Sequence, residues 1–197
     1  MDKDIKVYKQ RGNTCAIACM MMVLEYYKII QKANWYDEKR LYKIYRSQFI
    51  DGTPFSALAY HFSKNRLKTT LYHEDLELFN NCKNEMDDDI FNLLMEEYKE
   101  YLKRAIISGT NVINGIKINS KLIRKELKKE NIVIVAGEIS GIYHAILISG
   151  YNGYDFIVCD PLYKNKKFIS SDELNSFMDT SIGKWFISIN ENIKNNK

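Results

Sequence analysis

The stretch YHAILISGYNGYDFIVCDP, residues 143–161, decides the fold of this chain. Residues 144–151 and 154–159 are rich in β-branched and aromatic side chains, and each run predicts a strand. Asn152-Gly153 lies between the two runs and is the strongest short signal for a two-residue turn between antiparallel strands. The stretch therefore predicts a β-hairpin.

The hairpin predicts that a histidine and an aspartate lie close together. His144 begins the first strand, and Asp160 follows the second strand directly before Pro161, which favours extended backbone in the residue that precedes it. A tight hairpin places the start of one strand opposite the end of its partner. We therefore expect His144 and Asp160 side by side at one rim of a sheet, where the carboxylate would orient the imidazole and stabilise its cation.

The apolar run that begins at Cys15 predicts the second part of a site. Residues 15–30 are apolar on nearly all sides, which is typical of a buried helix, and Cys15 lies in its first turn. A helix N-terminus and a neighbouring imidazolium both favour the thiolate form of a cysteine, which is the nucleophilic form. Cys15 is therefore the predicted nucleophile, with His144 as its base and Asp160 as the residue that orients the base.

The residues just before Cys15 have two expected tasks. Asn13 or Thr14 is available as the N-cap of the helix. The backbone N–H of Cys15 and the side-chain amide of Gln10 are candidate donors to the oxyanion that forms when a thiolate attacks a carbonyl. Losing one such donor typically costs about 3 kcal/mol of transition-state stabilisation.

Each candidate also has a plain structural interpretation. Cys15 could be a core cysteine like Cys19, and His144 could be a core histidine. Asp160 could simply belong to a turn. Cys15 and Cys19 are spaced at i, i+4 and could ligate a metal, but further ligands are missing from the pattern. The order and expected proximity of the three residues favour the catalytic interpretation and predict neither a metal nor a cofactor.

The rest of the chain predicts a helical first half followed by a largely antiparallel sheet half, which is an α+β architecture. Ser170 and Glu173 form a capping-box pattern at the start of a short helix that runs to Asp179. The other predicted helices span 37–48, 54–64, 87–107 and 120–130, and the other strands span 67–73, 132–136 and 184–189. The predicted inner face of helix 87–107 comprises Ile90, Leu93, Leu94, Tyr98 and Leu102.

Length and composition indicate a single soluble domain over residues 1–190, with a frayed polar tail over 191–197. Basic residues number 29 and acidic residues 25, a net charge of +4 that is too mild to indicate nucleic-acid binding. The four cysteines form neither a metal knuckle nor a disulfide framework, so we expect reduced thiols in the cytoplasm. The apolar run from Cys15 to Leu24 is too short for membrane insertion and lacks signal-peptide flanks.

Three segments resemble the papain-like cysteine peptidases, and within them the bacteriocin-processing double-glycine leader peptidases and related papain-like acyltransferases. The segments are QRGNTCAIAC from Gln10, YHAILISGY from Tyr143 and VCDP from Val158. The resemblance implies a papain-like fold: a central buried helix carries the cysteine, and an antiparallel sheet half carries the histidine and aspartate. It also implies catalytic roles for Cys15, His144 and Asp160.

Two departures from that pattern surround the nucleophile. The family usually has glycine after the cysteine, where this chain has Ala16. The family also usually has one more residue between its glutamine and the cysteine, so either Gln10 or Asn13 is the candidate side-chain donor to the oxyanion. Residues 75–118 match no pattern that we can name.

Three functions follow as expectations. The first is hydrolysis of a peptide or amide through a Cys15 thioester. The second is ATP-independent amide formation in natural-product biosynthesis, in which an amine takes an acyl group from a carrier-protein thioester; a mildly basic surface would suit an acidic carrier protein. The third is a non-catalytic binding module. The absence of a Walker-type glycine loop predicts a stand-alone form instead of the transporter-fused form.

Overall fold

A seven-stranded mixed sheet organises the molecule. The protein is seen in a computed structural model, which describes residues 2–74, 87–181 and 183–191. Cys82 and the predicted tail beyond residue 191 lie outside the described residues. Within the described ranges, no helix is both long enough and apolar enough to cross a bilayer.

Every helix and strand predicted from the sequence has a counterpart in the structure, and two short strands, β2 (Asn111–Ile113) and β6 (Lys166–Ile169), are additional. The helices of the described ranges are α1 (Cys15–Tyr26), α2 (Trp35–Tyr45), α3 (Phe55–Lys64), α4 (Asp88–Ile107), α5 (Ser120–Lys128) and α6 (Ser171–Asp179). The strands are β1 (Lys68–His73), β2 (Asn111–Ile113), β3 (Ile132–Ile139), β4 (Ile142–Asn152), β5 (Asp155–Cys159), β6 (Lys166–Ile169) and β7 (Trp185–Asn190).

The sheet draws strands from both halves of the chain. Its order is β2-β1-β7-β3-β4-β5-β6. β1 and β2 are parallel, and the other neighbouring pairs are antiparallel. β1 belongs to the first half of the chain, yet it pairs with β7 from Lys68↔Asn190 to His73↔Trp185. The largely antiparallel sheet is confirmed, but its strands do not all come from the second half.

Each face of the sheet has its own hydrophobic core. Along β3, Ile132 and Ile134 belong to the core shared with α1 to α4, whereas Val133 and Val135 belong to the core shared with α5 and α6. Strands that are apolar on both faces have to be covered on both. The α+β class is confirmed, and α5 and α6 add a layer on the face opposite the nucleophile helix.

α1 is the buried helix that the apolar run predicted. It begins at Cys15, as expected, and Ala16 to Leu24 are all buried. It ends at Tyr26, four residues earlier than predicted. The backbone at Lys28 has a φ of 58°, in the left-handed region, and cannot continue a right-handed helix.

The inner face of α4 is rotated from the predicted one. Leu94 and Tyr98 are buried as expected, together with Phe91 and Ala105. Ile90 and Leu93 are 43% and 45% exposed, so their predicted inward positions are wrong. A broad apolar stripe does not reveal which of its edges faces the core, because that depends on the tertiary partner.

Two local sequence signals near the sheet, the capping box and the hairpin turn, are both found in the structure, but the turn is displaced. The capping box is confirmed, since Ser170 Oγ accepts from the Glu173 N–H and the Glu173 carboxylate accepts from the Ser170 N–H. The hairpin is also present, but its turn lies one residue later than predicted. Asn152 pairs with Asp155, which leaves Gly153 and Tyr154 as the two turn residues.

Candidate active site

The β4–β5 hairpin brings His144 and Asp160 together, as predicted. The two strands pair from Asn152↔Asp155 to Leu147↔Cys159, which carries His144 and Asp160 to the same rim of the sheet. His144 Nε2 lies 2.8 Å from Asp160 Oδ1, and both side chains are buried. The expected juxtaposition is confirmed, and the pairing that produces it includes a one-residue register shift between Ile148 and Gly150.

Asp160 accepts hydrogen bonds from three groups. Oδ1 also accepts from the Leu162 N–H at 3.0 Å, and Oδ2 accepts from Lys167 Nζ at 2.8 Å. Burial by itself would raise the pKa of this carboxyl, but the hydrogen bonds from His144, Lys167 and Leu162 outweigh it and lower the pKa to about 2. Asp160 is therefore ionised near neutral pH and can fix the orientation of the imidazole.

Cys15 lines the same cleft as the imidazole. It is the first residue of α1 and is half-buried. Because Nε2 of His144 is bonded to Asp160, the ring nitrogen left for the thiol is Nδ1. Burial lowers the pKa of His144, but hydrogen bonds with Asp160 and Cys15 more than offset this and raise it to about 9. The imidazole is therefore held in its cationic form beside the thiol at neutral pH.

The other described cysteines lie in surroundings that disfavour a thiolate. Cys19 is fully buried one turn after Cys15, and burial raises its pKa well above the ordinary value. Burial also raises the pKa of Cys159 to about 11. Since the thiolate is the reactive form, Cys15 is the described cysteine best placed to act as a nucleophile.

Cys15 and His144 open into a cleft of about 660 Å³. One wall comes from residues 50–55, and the other comes from the β3–β4 turn and the loop after Asp160. Several apolar side chains on its rim are exposed to solvent: Ile142, Tyr143, Leu162 and Tyr163. The cleft therefore has a polar reacting centre and an apolar border.

Both predicted oxyanion donors line this cleft with Cys15. Gln10 Nε2 donates to the Gly12 carbonyl at 2.7 Å, and Asn13 Nδ2 donates to the Asp51 carboxylate. Each amide nitrogen carries two hydrogens, so each keeps a second N–H. The structure places both residues at the site, and both remain candidate donors to the oxyanion.

The segment before Cys15 is anchored on two sides. The Gln10 N–H donates to the Pro161 carbonyl at 2.8 Å, which ties the segment to the loop after Asp160. On the other side, the fully buried Glu38 carboxylate of α2 accepts hydrogen bonds from Tyr8, Arg11 and Thr14.

Glu38 and Lys167 were not predicted as site residues. Each is a single charged residue in an amphipathic or lysine-rich stretch, and nothing in the spacing distinguishes it from a solvated neighbour. As for metals, the described ranges contain no group of three or more His, Cys, Asp or Glu side chains arranged to hold an ion. The predicted absence of a cofactor stays a prediction.

A thiol at the start of a buried helix shares a cleft with an imidazole on β4, and a carboxylate directly after β5 is bonded to that imidazole. This is the arrangement of the papain-like class. One solved structure supports the fold. The peptidase domain of Streptococcus ComA, a bifunctional ABC transporter involved in quorum sensing, is 13% identical with a TM-score of 0.51, and the match covers 95% of this chain and 98% of that one. A C39-like peptidase from Bacillus anthracis is 11% identical with a TM-score of 0.49, covering 96% of each chain.

Comparison of the sequence with a protein-family model identifies the family. The model of the Peptidase_C39 like family matches residues 2–185, and the chain belongs to that family. Membership supports a cysteine peptidase-like enzyme and confirms the resemblance found in the three sequence segments. No curated protein gives a significant match.

Proposed function

We propose that this protein cleaves amide bonds through a thioester on Cys15, with His144 as the general acid and base and Asp160 as the group that orients His144. The observation that carries the proposal is that Cys15 and His144 line the same cleft, while the His144 ring is hydrogen-bonded at 2.8 Å to the ionised Asp160. A cationic imidazole favours the thiolate form of a neighbouring cysteine, which is the form that thiol catalysis requires.

The reaction has two halves. The Cys15 thiolate attacks the substrate carbonyl carbon, an S–C bond forms, and the carbonyl oxygen becomes an oxyanion. The C–N bond then breaks, and the imidazolium gives its proton to the leaving amine. In the second half, neutral His144 takes a proton from water as the water oxygen attacks the thioester, and the S–C bond breaks to release a carboxylic acid and restore the thiolate.

The oxyanion would be stabilised by N–H groups at the start of α1 and by the remaining amide N–H of Gln10 or Asn13. For the substrate we propose a peptide or an acyl thioester, including one held on a carrier protein. The apolar rim of Ile142, Tyr143, Leu162 and Tyr163 supports a substrate with apolar groups next to the reacting carbonyl. Amide formation uses the same acyl-enzyme, with an amine in place of water as the attacking group.

The first experiment tests the thiol. Iodoacetamide alkylation is followed by intact mass over a range of pH in a Cys82→Ser background, so that Cys82 does not contribute. We expect Cys15 to react at neutral pH far faster than a free thiol and Cys159 to stay unmodified. His144→Ala should slow alkylation at least 10-fold, because the cation that favours the thiolate is gone. Cys159→Ala serves as the matched control.

The second experiment tests the reaction. A mixed library of internally quenched peptides and a set of acyl thioesters are incubated with the protein, with and without a primary amine. Peptide cleavage that disappears in Cys15→Ala supports hydrolysis, and amide product formed with millimolar amine supports transfer. A Cys15 with the reactivity of an ordinary thiol, independent of His144, would refute both and leave the non-catalytic binding module.

A further inference from the structure

Glu38 is a carboxylate in an unusual place. It is fully buried on α2, and its hydrogen-bond donors come from the segment that leads to the nucleophile. Oε2 accepts from the Tyr8 hydroxyl at 2.8 Å, and Oε1 accepts from the Arg11 N–H at 3.0 Å and from the Thr14 hydroxyl at 2.5 Å. Burying a carboxylate is costly unless it is well bonded. The proposed mechanism so far gives this one no role.

Helix α1 lacks the side-chain cap that Thr14 could have provided. Thr14 occupies the N-cap position, where a threonine oxygen ordinarily accepts from the N–H two or three residues later. Here its φ and ψ are −114° and 23°, and among the described residues no side chain caps the helix. The hydroxyl is turned towards Glu38 instead, and its oxygen also lies 3.2 Å from the Arg11 carbonyl oxygen.

The N–H groups that lose their cap lie at the reacting centre. The first backbone bond within α1 runs from the Ala18 N–H to the Thr14 carbonyl at 2.8 Å, so the N–H groups of Cys15, Ala16 and Ile17 have no acceptor inside the helix. Cys15 and Ala16 both line the cleft. Uncapped N–H groups at a helix start favour a nearby anion, which here is either the thiolate or the oxyanion.

We propose that Glu38 is a positioning residue for the nucleophile: by holding the Thr14 hydroxyl and the Arg11 N–H, it keeps the N-terminus of α1 uncapped, so that the first N–H groups of the helix serve the thiolate and the oxyanion. This inference depends on the proposed thiol chemistry. Glu38 touches no reacting atom and acts through Thr14.

The test measures the rate of Cys15 alkylation by iodoacetamide against pH, in the Cys82→Ser background. In Glu38→Ala the Thr14 hydroxyl loses its bond to Glu38; it can then donate to the Arg11 carbonyl alone and accept from the Ala16 or Ile17 N–H. We expect the rate at neutral pH to fall about 10-fold and the pH profile to move to higher pH. Glu38→Gln keeps an oxygen acceptor for Arg11 and Thr14, and its rate should stay within about 3-fold of the parent.

The decisive variant is Thr14→Val in the Glu38→Ala background. Valine has the shape of threonine without the hydroxyl, so the competing cap cannot form and the alkylation rate should recover by several-fold. Thr14→Val alone should stay within about 3-fold of the parent, because its hydroxyl does not cap the helix to begin with. If Glu38→Ala is unfolded by circular dichroism, Glu38→Met takes its place in the same comparison.

Glu25 provides the matched control. Its carboxylate accepts from the Ala33 N–H at 2.8 Å and so anchors a loop at the other end of the same helix. Glu25→Ala should leave the alkylation profile unchanged. An unchanged rate in folded Glu38→Ala, or a failure of Thr14→Val to restore it, would overturn the inference about Glu38. Slow, ordinary alkylation of the parent protein would instead overturn the proposed function itself.

Discussion

Lys167 forms an ion pair with Asp160 in the candidate site. Lys167 Nζ lies 2.8 Å from Asp160 Oδ2, on the side of the carboxylate away from His144. The ammonium both repels an imidazolium and competes with it for the carboxylate. We therefore expect Lys167 to hold the pKa of His144 below the value that Asp160 alone would give.

We expect Lys167→Met to raise the pKa of His144. The thiolate–imidazolium pair then persists to higher pH, so the alkaline limb of the activity profile should move up by about half a pH unit to one unit. Lys166→Met is the matched control, because Lys166 is paired with Asp2 and not with Asp160. A shift in the opposite direction, or the same shift in both variants, would contradict this account of Lys167.

The orientation of His144 gives a second prediction for single residues. Asp160→Asn replaces a charged hydrogen-bond acceptor with a neutral amide. The substitution also removes the ion pair with Lys167. We expect the rate of acyl-enzyme formation to fall about 10-fold in Asp160→Asn and at least about 100-fold in His144→Ala. Single-turnover mass spectrometry with the best substrate from the peptide library measures both. Equal and negligible effects would remove Asp160 and His144 from the mechanism.

At the scale of elements, β3 and α6 approach so closely that no side chain fits between them at Gly137. A Cβ on Gly137 would lie against the Phe177 carbonyl oxygen and ring, nearer than real Cβ atoms come to other atoms. Gly137 also pairs with His144 across β3 and β4. The packing of α6 on the sheet therefore reaches the strand position opposite the base.

We expect Gly137→Ala to lower the free energy of unfolding by about 2 kcal/mol. Because the nearest atom belongs to the backbone, trimming the ring in a Gly137→Ala, Phe177→Ala double variant should not restore stability. Urea unfolding of the single and double variants measures this. A double variant as stable as Phe177→Ala alone would show that the ring, and not the backbone, limits the approach.

The elements show what sequence patterns can and cannot predict. The β4–β5 hairpin and α1 were predictable because local composition and turn chemistry specify them. β2 and β6 were not, since three or four residues such as Lys166–Ile169 carry no clear alternation and become strands only by pairing with a neighbour. Lys167 lies in β6, so the partner of Asp160 was missed together with its strand.

The role of Glu38 was hidden for a related reason. In the sequence, Glu38 is not distinguishable from the other charged residues of the amphipathic helix α2. Only the tertiary fold buries it against the segment before Cys15. Cys15, His144 and Asp160 could be predicted because thiol catalysis requires particular residue types. The residues that support them can be of many types, so only the packing of the folded chain reveals which residues they are.

At the scale of the whole molecule, two neutral histidines, the half-buried His61 and the buried His73, should make the protein sensitive to acid. Burial lowers the pKa of His61 to about 4 and also lowers the pKa of His73. An unfolded histidine takes up a proton near its ordinary pKa of about 6.5. The stability that these neutral rings contribute is therefore complete above pH 6.5 and is lost as the pH falls towards 4.

We expect the free energy of unfolding to be lower at pH 5 than at pH 7, by about 2 kcal/mol from His61 and further in the same direction from His73. In His61→Gln the difference between the two pH values should shrink, because glutamine does not titrate. Urea unfolding at both pH values, in the parent and the variant, gives the comparison. An unchanged difference would mean that other groups control the acid limb.

The contribution of His144 to stability changes at alkaline pH, and it is lost as the pH rises instead of as it falls. Its pKa is raised to about 9, so its contribution to stability is complete below pH 6.5 and is lost as the pH rises through 9.

The β4–β5 turn suits one practical purpose. Gly153 and Tyr154 lie nine or more residues along the strand from His144, a span of about 30 Å in an extended chain. Tyr154 is 90% exposed, and Arg124 holds the turn by donating to the Gly153 and Tyr154 carbonyls. A fluorophore or a surface linker attached at position 154 would immobilise or report on the protein while leaving the cleft open to substrate.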